Sequence, residues 1–238
     1  MLIGLGWDVG GWQGNNQRFA VAVWDCTNIE WPTKPFSTKL SELGNDPAAL
    51  DKLWPRLIGR QIQPTDTVVI GIDAPLGWPV AFKDLPCGPA QFPGLPDRQI
   101  KNRFAYRETE RYIHRHYNKI ALSAPFDKLG NNATVAVAYA QEWVRQGYHL
   151  LPQQGQVLTR RTIIEVYPAL EKSRNPIGND IVKNALVHVP PAPYDAAICA
   201  LLALSMADQE SKTGLPRLVS PVGDATVLQQ EGWIYHWA

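Results

Sequence analysis

Four carboxylates in this chain stand where an apolar strand ends or an apolar helix begins. Asp8 closes Leu2-Ile3-Gly4-Leu5-Gly6-Trp7-Asp8, and Asp73 closes Thr67-Val68-Val69-Ile70-Gly71-Ile72-Asp73. Glu165 lies within Ile163-Ile164-Glu165-Val166-Tyr167, and Asp195 opens Tyr194-Asp195-Ala196-Ala197-Ile198-Cys199-Ala200. Taken singly, each has a structural reading. Asp195 in a first helical turn caps free N–H groups and suits the helix dipole. Asp73 before Ala74-Pro75 fits an Asx-turn, Asp8 fits a hairpin cap, and Glu165 fits an exposed strand position. Taken together they predict more. Carboxylates in apolar surroundings are costly unless cations neutralise them, and several converging on one sheet edge invite a divalent metal. Oxygen ligands without His or Cys select Mg²⁺ or Mn²⁺.

The elements that must position these acids can be read from pattern. The run to Asp8, the turn-rich Gly10 to Asn16 and the segment Arg18 to Asp25 predict a hairpin. A third strand is expected between Thr27 and Thr38, at an edge because of Pro32 and Pro35. Asp46-Pro47 predicts a helix start, with the helix running to Ile58 and disturbed at Pro55. The continuous apolar run to Asp73 predicts a strand buried on both faces. Pro75 to Pro96 predicts a surface excursion, followed by helices over Lys101–Tyr117 and Asn132–Gln146, the latter capped by Asn131 or Asn132. Arg161 to Tyr167 predicts a strand, Asp195 to Ala207 an apolar helix, and Val227 to Trp237 a returning extended segment. The expectation is one α/β domain over residues 1–238, with a helical insertion at about 79–155.

Composition bounds the function. The 238 residues carry 23 Lys+Arg against 22 Asp+Glu, a net charge of +1, so any polyanion site must be a local patch. With 45% hydrophobic residues the chain can bury a sizeable core, which argues against disorder. Cys26, Cys87 and Cys199 are odd in number and far apart, and they read as three buried thiols in a reducing cytosol. The opening residues lack a basic n-region and reach a carboxylate too soon for a signal peptide, and no apolar run spans a bilayer. A cytoplasmic protein without membrane partners is expected, as monomer or homodimer. Gly4-x-Gly6-x-x-x-Gly10 imitates a dinucleotide fingerprint but precedes a turn and a strand rather than a helix. There is no P-loop and no G-x-S-x-G elbow. His114 and His116, two apart, cannot share a helix face as a zinc pair.

The hairpin with its early Asp, Ile72-Asp73-Ala74-Pro75-Leu76-Gly77, Glu165-Val166-Tyr167-Pro168 and the late Asp195-Ala196-Ala197-Ile198-Cys199-Ala200-Leu201 helix resemble the family catalogued as domain of unknown function 429. Arg107-Glu108-Thr109-Glu110, Lys128-Leu129-Gly130 and Glu231-Gly232-Trp233-Ile234-Tyr235 add to the resemblance, which spans nearly the whole chain. The Pro-rich stretch from Lys83 to Arg98 departs from it. That family is described as predicted nucleases with a ribonuclease H-like fold. The resemblance implies a mixed sheet with strands 1–3 antiparallel and later strands parallel. It also implies that Asp8, Asp73 and Asp195 bind metal, with Glu165 a candidate fourth catalytic acid.

The chemistry so implied is phosphodiester hydrolysis, with two ions about 3.5–4 Å apart activating a water and stabilising the leaving oxygen. Asp8 would bridge the ions, and Asp73 and Asp195 would complete one each. A nucleic-acid substrate needs positive charge, and Arg103, Arg107, Arg111 and Arg115 recur every four residues with aromatic residues between them. The competing reading of that stripe is an intrahelical charge ladder with Glu108 and Glu110. Two other functions fit the same scaffold. One is an ATP-dependent phosphotransferase of the actin, Hsp70 and sugar-kinase class, suggested by Gly6-Trp7-Asp8-Val9-Gly10-Gly11. The other is a non-catalytic nucleic-acid or protein-binding module.

Overall fold

The computed structural model describes residues 1–12, 16–39, 50–87, 96–127, 129–174 and 179–238. Strand β1 (Leu2–Asp8) pairs antiparallel with β2 (Gln17–Trp24) as the hairpin predicts, and β2 carries two short edge strands, β3 (Ile29–Glu30) and β4 (Phe36–Thr38). Helix α1 (Leu50–Ile58) runs through Pro55, and its expected start at Asp46-Pro47 lies outside the described residues. On the other side of β1 lies the parallel strand β5 (Thr67–Asp73), then β7 (Arg161–Val166), which is flanked by the two-residue strands β6 (His149–Leu150) and β8 (Ile234–Tyr235). The result is a mixed α/β fold around an eight-stranded sheet of order β3-β2-β1-β5-β7-β6, antiparallel first and parallel later. This is consistent with the expected ribonuclease H-like arrangement.

Side-chain alternation along the strands divides the core in two. Ile3, Leu5, Trp7, Ile70 and Ile72 point to the face covered by α1 and by α4 (Leu129–Arg145), where Trp54 and Trp143 are buried. The opposite face, with Gly4, Gly6, Ala20, Ala22 and Gly71, receives α7 (Tyr194–Ala207). This helix is apolar nearly all round because the sheet lies on one side while α5 (Pro168–Arg174), α6 (Asp180–Leu186) and the C-terminal segment cover the rest. A Cβ at Gly4 would come within 2.1 Å of the Ala200 carbonyl oxygen, and one at Gly6 within 2.0 Å of the Ala196 oxygen. The glycines that imitate a dinucleotide fingerprint are therefore there so that α7 can lie against the backbone of β1.

Several expected elements are placed differently. The helix expected over Lys101–Tyr117 is a 3-10 turn at Gln99–Lys101, a loop, and α3 at Glu108–Tyr117. The excursion after Asp73 starts buried at Ala74 to Gly77, and the first part of its remainder forms α2 (Val80–Asp84). Residues 88–95 of that stretch, and Lys128, lie outside the described residues. The C-terminal segment is not continuously extended: it contains α8 (Ala225–Glu231), capped by Asp224, before β8. Asn131 and Asn132 fall inside the first turn of α4, and rather than capping it they hold the turn after β1. Asn132 Nδ2 donates to the Val9 carbonyl at 2.6 Å, and the Trp12 N–H donates to Asn131 Oδ1 at 3.3 Å. Cys199 is buried as expected, but Cys26 is exposed, in a turn with positive φ. No helix among the described residues is long and apolar enough to cross a membrane.

Candidate active site

The sheet brings Asp8 and Asp73 together. They are register partners on adjacent parallel strands, so their backbones run about 4.8 Å apart. Both share the parity of the residues facing α7, Asp8 with Gly4 and Gly6, Asp73 with Val69 and Gly71. The first turn of α7 carries Asp195 to the same place, because the close approach at Gly6 and Ala196 seats that turn over the end of β1. The three acids lie within electrostatic reach of one another.

Their neutralisation is incomplete. Asp8 Oδ2 accepts from Arg18 at 2.8 Å, its register partner across the hairpin, and Lys172 on α5 donates to both oxygens of Asp195 at 2.8 and 2.9 Å. Asp73 accepts no hydrogen bond from any described residue. Burial raises its pKa well above the usual carboxylate range, and the neighbouring Asp8 and Asp195 push it further in that direction. Burial also raises Asp8, against the opposing pull of Arg18. Among the described residues no group of three or more His, Cys, Asp and Glu side chains is already arranged to hold a metal ion. The donor set nevertheless has the chemistry of a hard dication site: all oxygen, excess negative charge, and one carboxylate without a partner.

Glu165 borders the same region but turns to a different partner. Its parity on β7 is that of Ile163, opposite to Ile164 and Val166, which pack towards α7, so it points away from that helix. There it meets Arg107, which is wholly buried. Arg107 donates to Glu165 at 2.5 and 2.8 Å, to Glu110 Oε1 from Nε at 2.9 Å and from an NH2 group at 2.5 Å, and to the Glu231 carbonyl at 3.0 Å. Burial works against the charge on Arg107, but the two flanking carboxylates outweigh it and raise its pKa. Glu165 also accepts from the Leu76 N–H at 2.8 Å, and so anchors the loop that follows Asp73.

The arginine stripe is corrected by the same geometry. Arg107 is an internal ion-pair partner, and Arg103 stands in the loop before α3 with its guanidinium 5.2 Å from the Phe104 ring. Arg111 is tied to Glu108 and the Tyr106 carbonyl, and Arg115 to Glu108 at 2.8 Å. The four arginines do not share one face, because the helix expected to align them starts only at Glu108. Among the described residues Arg18 and Lys172 pair with the acids, and Lys119 stands beside Lys172 and over the Tyr167 ring; none was expected from the sequence. Pairing the hairpin ends would have found Arg18 opposite Asp8, whereas Lys172 and Lys119 have no local signal.

Two recesses meet at this cluster. One, of about 220 Å³, is lined by Asp8, Asp73, Pro75, Leu122, Asn132 and Tyr167 and has Arg107 and Glu165 at its base. The other, of about 630 Å³, is lined by Arg18, Lys172, Val187, Pro191, Tyr194 and Asp195.

Fold and site together define a mixed α/β protein with a partly neutralised carboxylate cluster at the C-terminal end of its central parallel strands. Residues 14–171 match the family described as protein of unknown function (DUF429), and the chain belongs to that family. The matched span contains Asp73 and Glu165, while Asp8 and Asp195 fall outside it. No curated protein and no solved structure matches the chain.

Proposed function

We propose that the chain is a cytoplasmic, metal-dependent nuclease that hydrolyses phosphodiester bonds at Asp8, Asp73 and Asp195. The observation that carries this reading is the state of Asp73: a half-buried carboxyl between two other acids, with no hydrogen-bond partner among the described residues. Such a group is stable either protonated or beside a cation. The three carboxylates would hold Mg²⁺ or Mn²⁺, which supplies Lewis-acid activation of water and of the leaving oxygen. Asp8, in register with Asp73 and within electrostatic reach of Asp195, would serve both neighbours. Arg18 and Lys172 pair with Asp8 and Asp195 in the absence of a dication and would turn to the substrate phosphates when one binds. Glu165 and Arg107 act at one remove, by fixing the loop from Asp73 to Leu76.

A second reading, a non-catalytic binding module, draws on those same two ion pairs, because they neutralise two of the three acids without a metal. Crystals soaked in Mn²⁺ separate the two. The nuclease reading expects an anomalous peak between Asp8, Asp73 and Asp195, and Mn²⁺-dependent cleavage of an oligonucleotide that falls at least about 100-fold in Asp8→Asn. No peak, or full cleavage by Asp8→Asn, excludes it.

A further inference from the structure

The smaller recess has features that the hydrolysis itself does not require. Beside its acids, Arg107 and Asn132, half of its lining is apolar, with Pro75, Leu122, Val166 and Ile234 the largest of these side chains, more apolar wall than a phosphate needs. At about 220 Å³ it lies below the roughly 300–1,000 Å³ of most small-molecule sites, a size that suits one planar ring rather than a larger body. Tyr167 lines it too, half-buried, and its hydroxyl has no hydrogen-bond partner among the described residues, so it is open to a ligand in place of water. The segment beside its mouth leaves Ile120, Leu122 and Phe126 exposed at 45%, 51% and 58%. An apolar rim of this kind is a place where something docks.

The adjoining surface is built for stacking. Trp12, four residues beyond Asp8, is 49% exposed, yet it is held in one orientation. Its indole N–H donates to Thr134 Oγ1 at 3.0 Å and its backbone N–H to Asn131 Oδ1. Both partners belong to the first turns of α4, the helix whose Asn132 lines the recess. An exposed aromatic ring held by its own indole hydrogen bond, on a backbone that is itself tied down, offers an apolar face at little further cost in conformational freedom. Around this surface Lys119, Lys172 and Arg18 supply positive charge, Lys119 and Lys172 being close enough to repel and so to help lower the pKa of Lys119, which burial depresses first.

A duplex cannot use these features, because its bases are stacked inside and it offers only its backbone and groove edges. Resting on the nuclease reading, we infer that the substrate is single-stranded nucleic acid, with one unpaired base in the recess beside Asp8 and Asp73 and a neighbouring base stacked on Trp12. Apolar walls, a free hydroxyl and a fixed aromatic platform next to phosphate-binding cations are the elements by which unpaired strands are recognised.

The probe is a fluorescent 12-residue oligothymidylate, alone and annealed to its complement, with binding followed by anisotropy in Ca²⁺, whose loose coordination differs from the strict octahedron of Mg²⁺. The single strand is expected to bind at least about tenfold tighter than the duplex. Trp12→Ala, at an exposed position, weakens the single strand about tenfold and leaves the duplex unchanged. Tyr167→Phe, which keeps the ring and removes the hydroxyl, weakens it about threefold. Duplex binding as tight as single-strand binding, no binding of either, or unchanged affinity in Trp12→Ala overturns the inference. Cleavage in Mn²⁺, measured in parallel, separates the two levels. If both DNAs are cut in an Asp73-dependent way without single-strand preference, the inference falls and the nuclease stands. If the single strand is bound through Trp12 but nothing is cut, the binding site stands and the nuclease falls.

Discussion

Two groups of carboxylates sit a few residues apart at the same end of this sheet, and they are treated in opposite ways. Around Arg107 every acid is saturated. Glu110 accepts from the Arg107 N–H and guanidinium, Glu165 from the guanidinium and the Leu76 N–H, and Glu231 from the N–H groups of Val80 and Glu108 at 2.8 and 2.7 Å. Around Asp73 the reverse holds: among the described residues Asp8 is paired with one cation, Asp195 with another, and Asp73 with none. The difference separates acids whose acceptors are filled within the fold from acids left short of donors. A buried carboxylate with all its acceptors filled fixes geometry, and one left short of donors is stable only with a proton or an incoming cation.

The comparison breaks most severely at Arg107. Arg107→Ala leaves Glu110 and Glu165 buried without a cation, and the expected loss is about 3–5 kcal/mol of unfolding free energy in urea. Arg107→Lys recovers only part of it, because a point charge cannot replace the forked contacts to two carboxylates. A loss below about 1 kcal/mol in Arg107→Ala contradicts the view that this network supports the fold.

At Asp73 the same operation has the opposite sign. Its pKa is raised above 3.8, so the folded state holds the proton more tightly than the unfolded chain does. The stability it contributes is fully present below its unfolded pKa and is lost as pH rises through the folded one. Without metal, the protein therefore loses stability as pH rises, and Asp73→Asn removes that part of the slope. At pH 8 the variant is expected to be more stable than its parent by about 1 kcal/mol, or about 2–4 °C in Tm. Mn²⁺ raises the Tm of the parent at pH 8 more than at pH 5, since binding to the folded state competes with the proton, and it does little for Asp73→Asn. Equal destabilisation of Asp73→Asn at all pH values places Asp73 with the saturated group.

How far this division was legible in the sequence depends on the range of the interaction. Alternation along Gly4-Gly6-Asp8 and Val69-Gly71-Asp73 already places both acids on one face, and the apolar run from Ala196 marks the helix that covers it. Glu165 carries the opposite parity to Ile164 and Val166, so its turning away from α7 was also readable, although its strand position beside the motif acids suggested otherwise. What could not be read is Arg107. Its partners Glu165 and Glu231 are 58 and 124 residues away, and nothing in the spacing of Arg103, Arg107, Arg111 and Arg115 distinguishes an arginine taken into the core from one left on the surface. Periodicity presupposes a helix, and the helix begins one residue after Arg107. The Arg18–Asp8 pair was within reach because hairpin register follows from the flanking strands, whereas Lys172 reaches Asp195 only through the packing of α5 against α7.

The mildest test lies at the exposed end of that former stripe. Arg115 is 57% exposed in its side chain and among the described residues pairs only with Glu108, itself already bonded to Arg111. A solvent-screened pair of two flexible side chains contributes little, so Arg115→Ala is expected to change stability by less than about 0.5 kcal/mol. It also lies on α3, whereas the acids pair with Arg18 and Lys172, with Lys119 beside Lys172, so the slope of oligothymidylate affinity against salt should be unchanged in the variant. Each phosphate contact contributes about 0.7 to that slope for a single strand. A fall of that size in Arg115→Ala would return the arginine to the substrate track and extend the binding surface from the acids along α3. An unchanged slope confines the track to Arg18, Lys172 and Lys119.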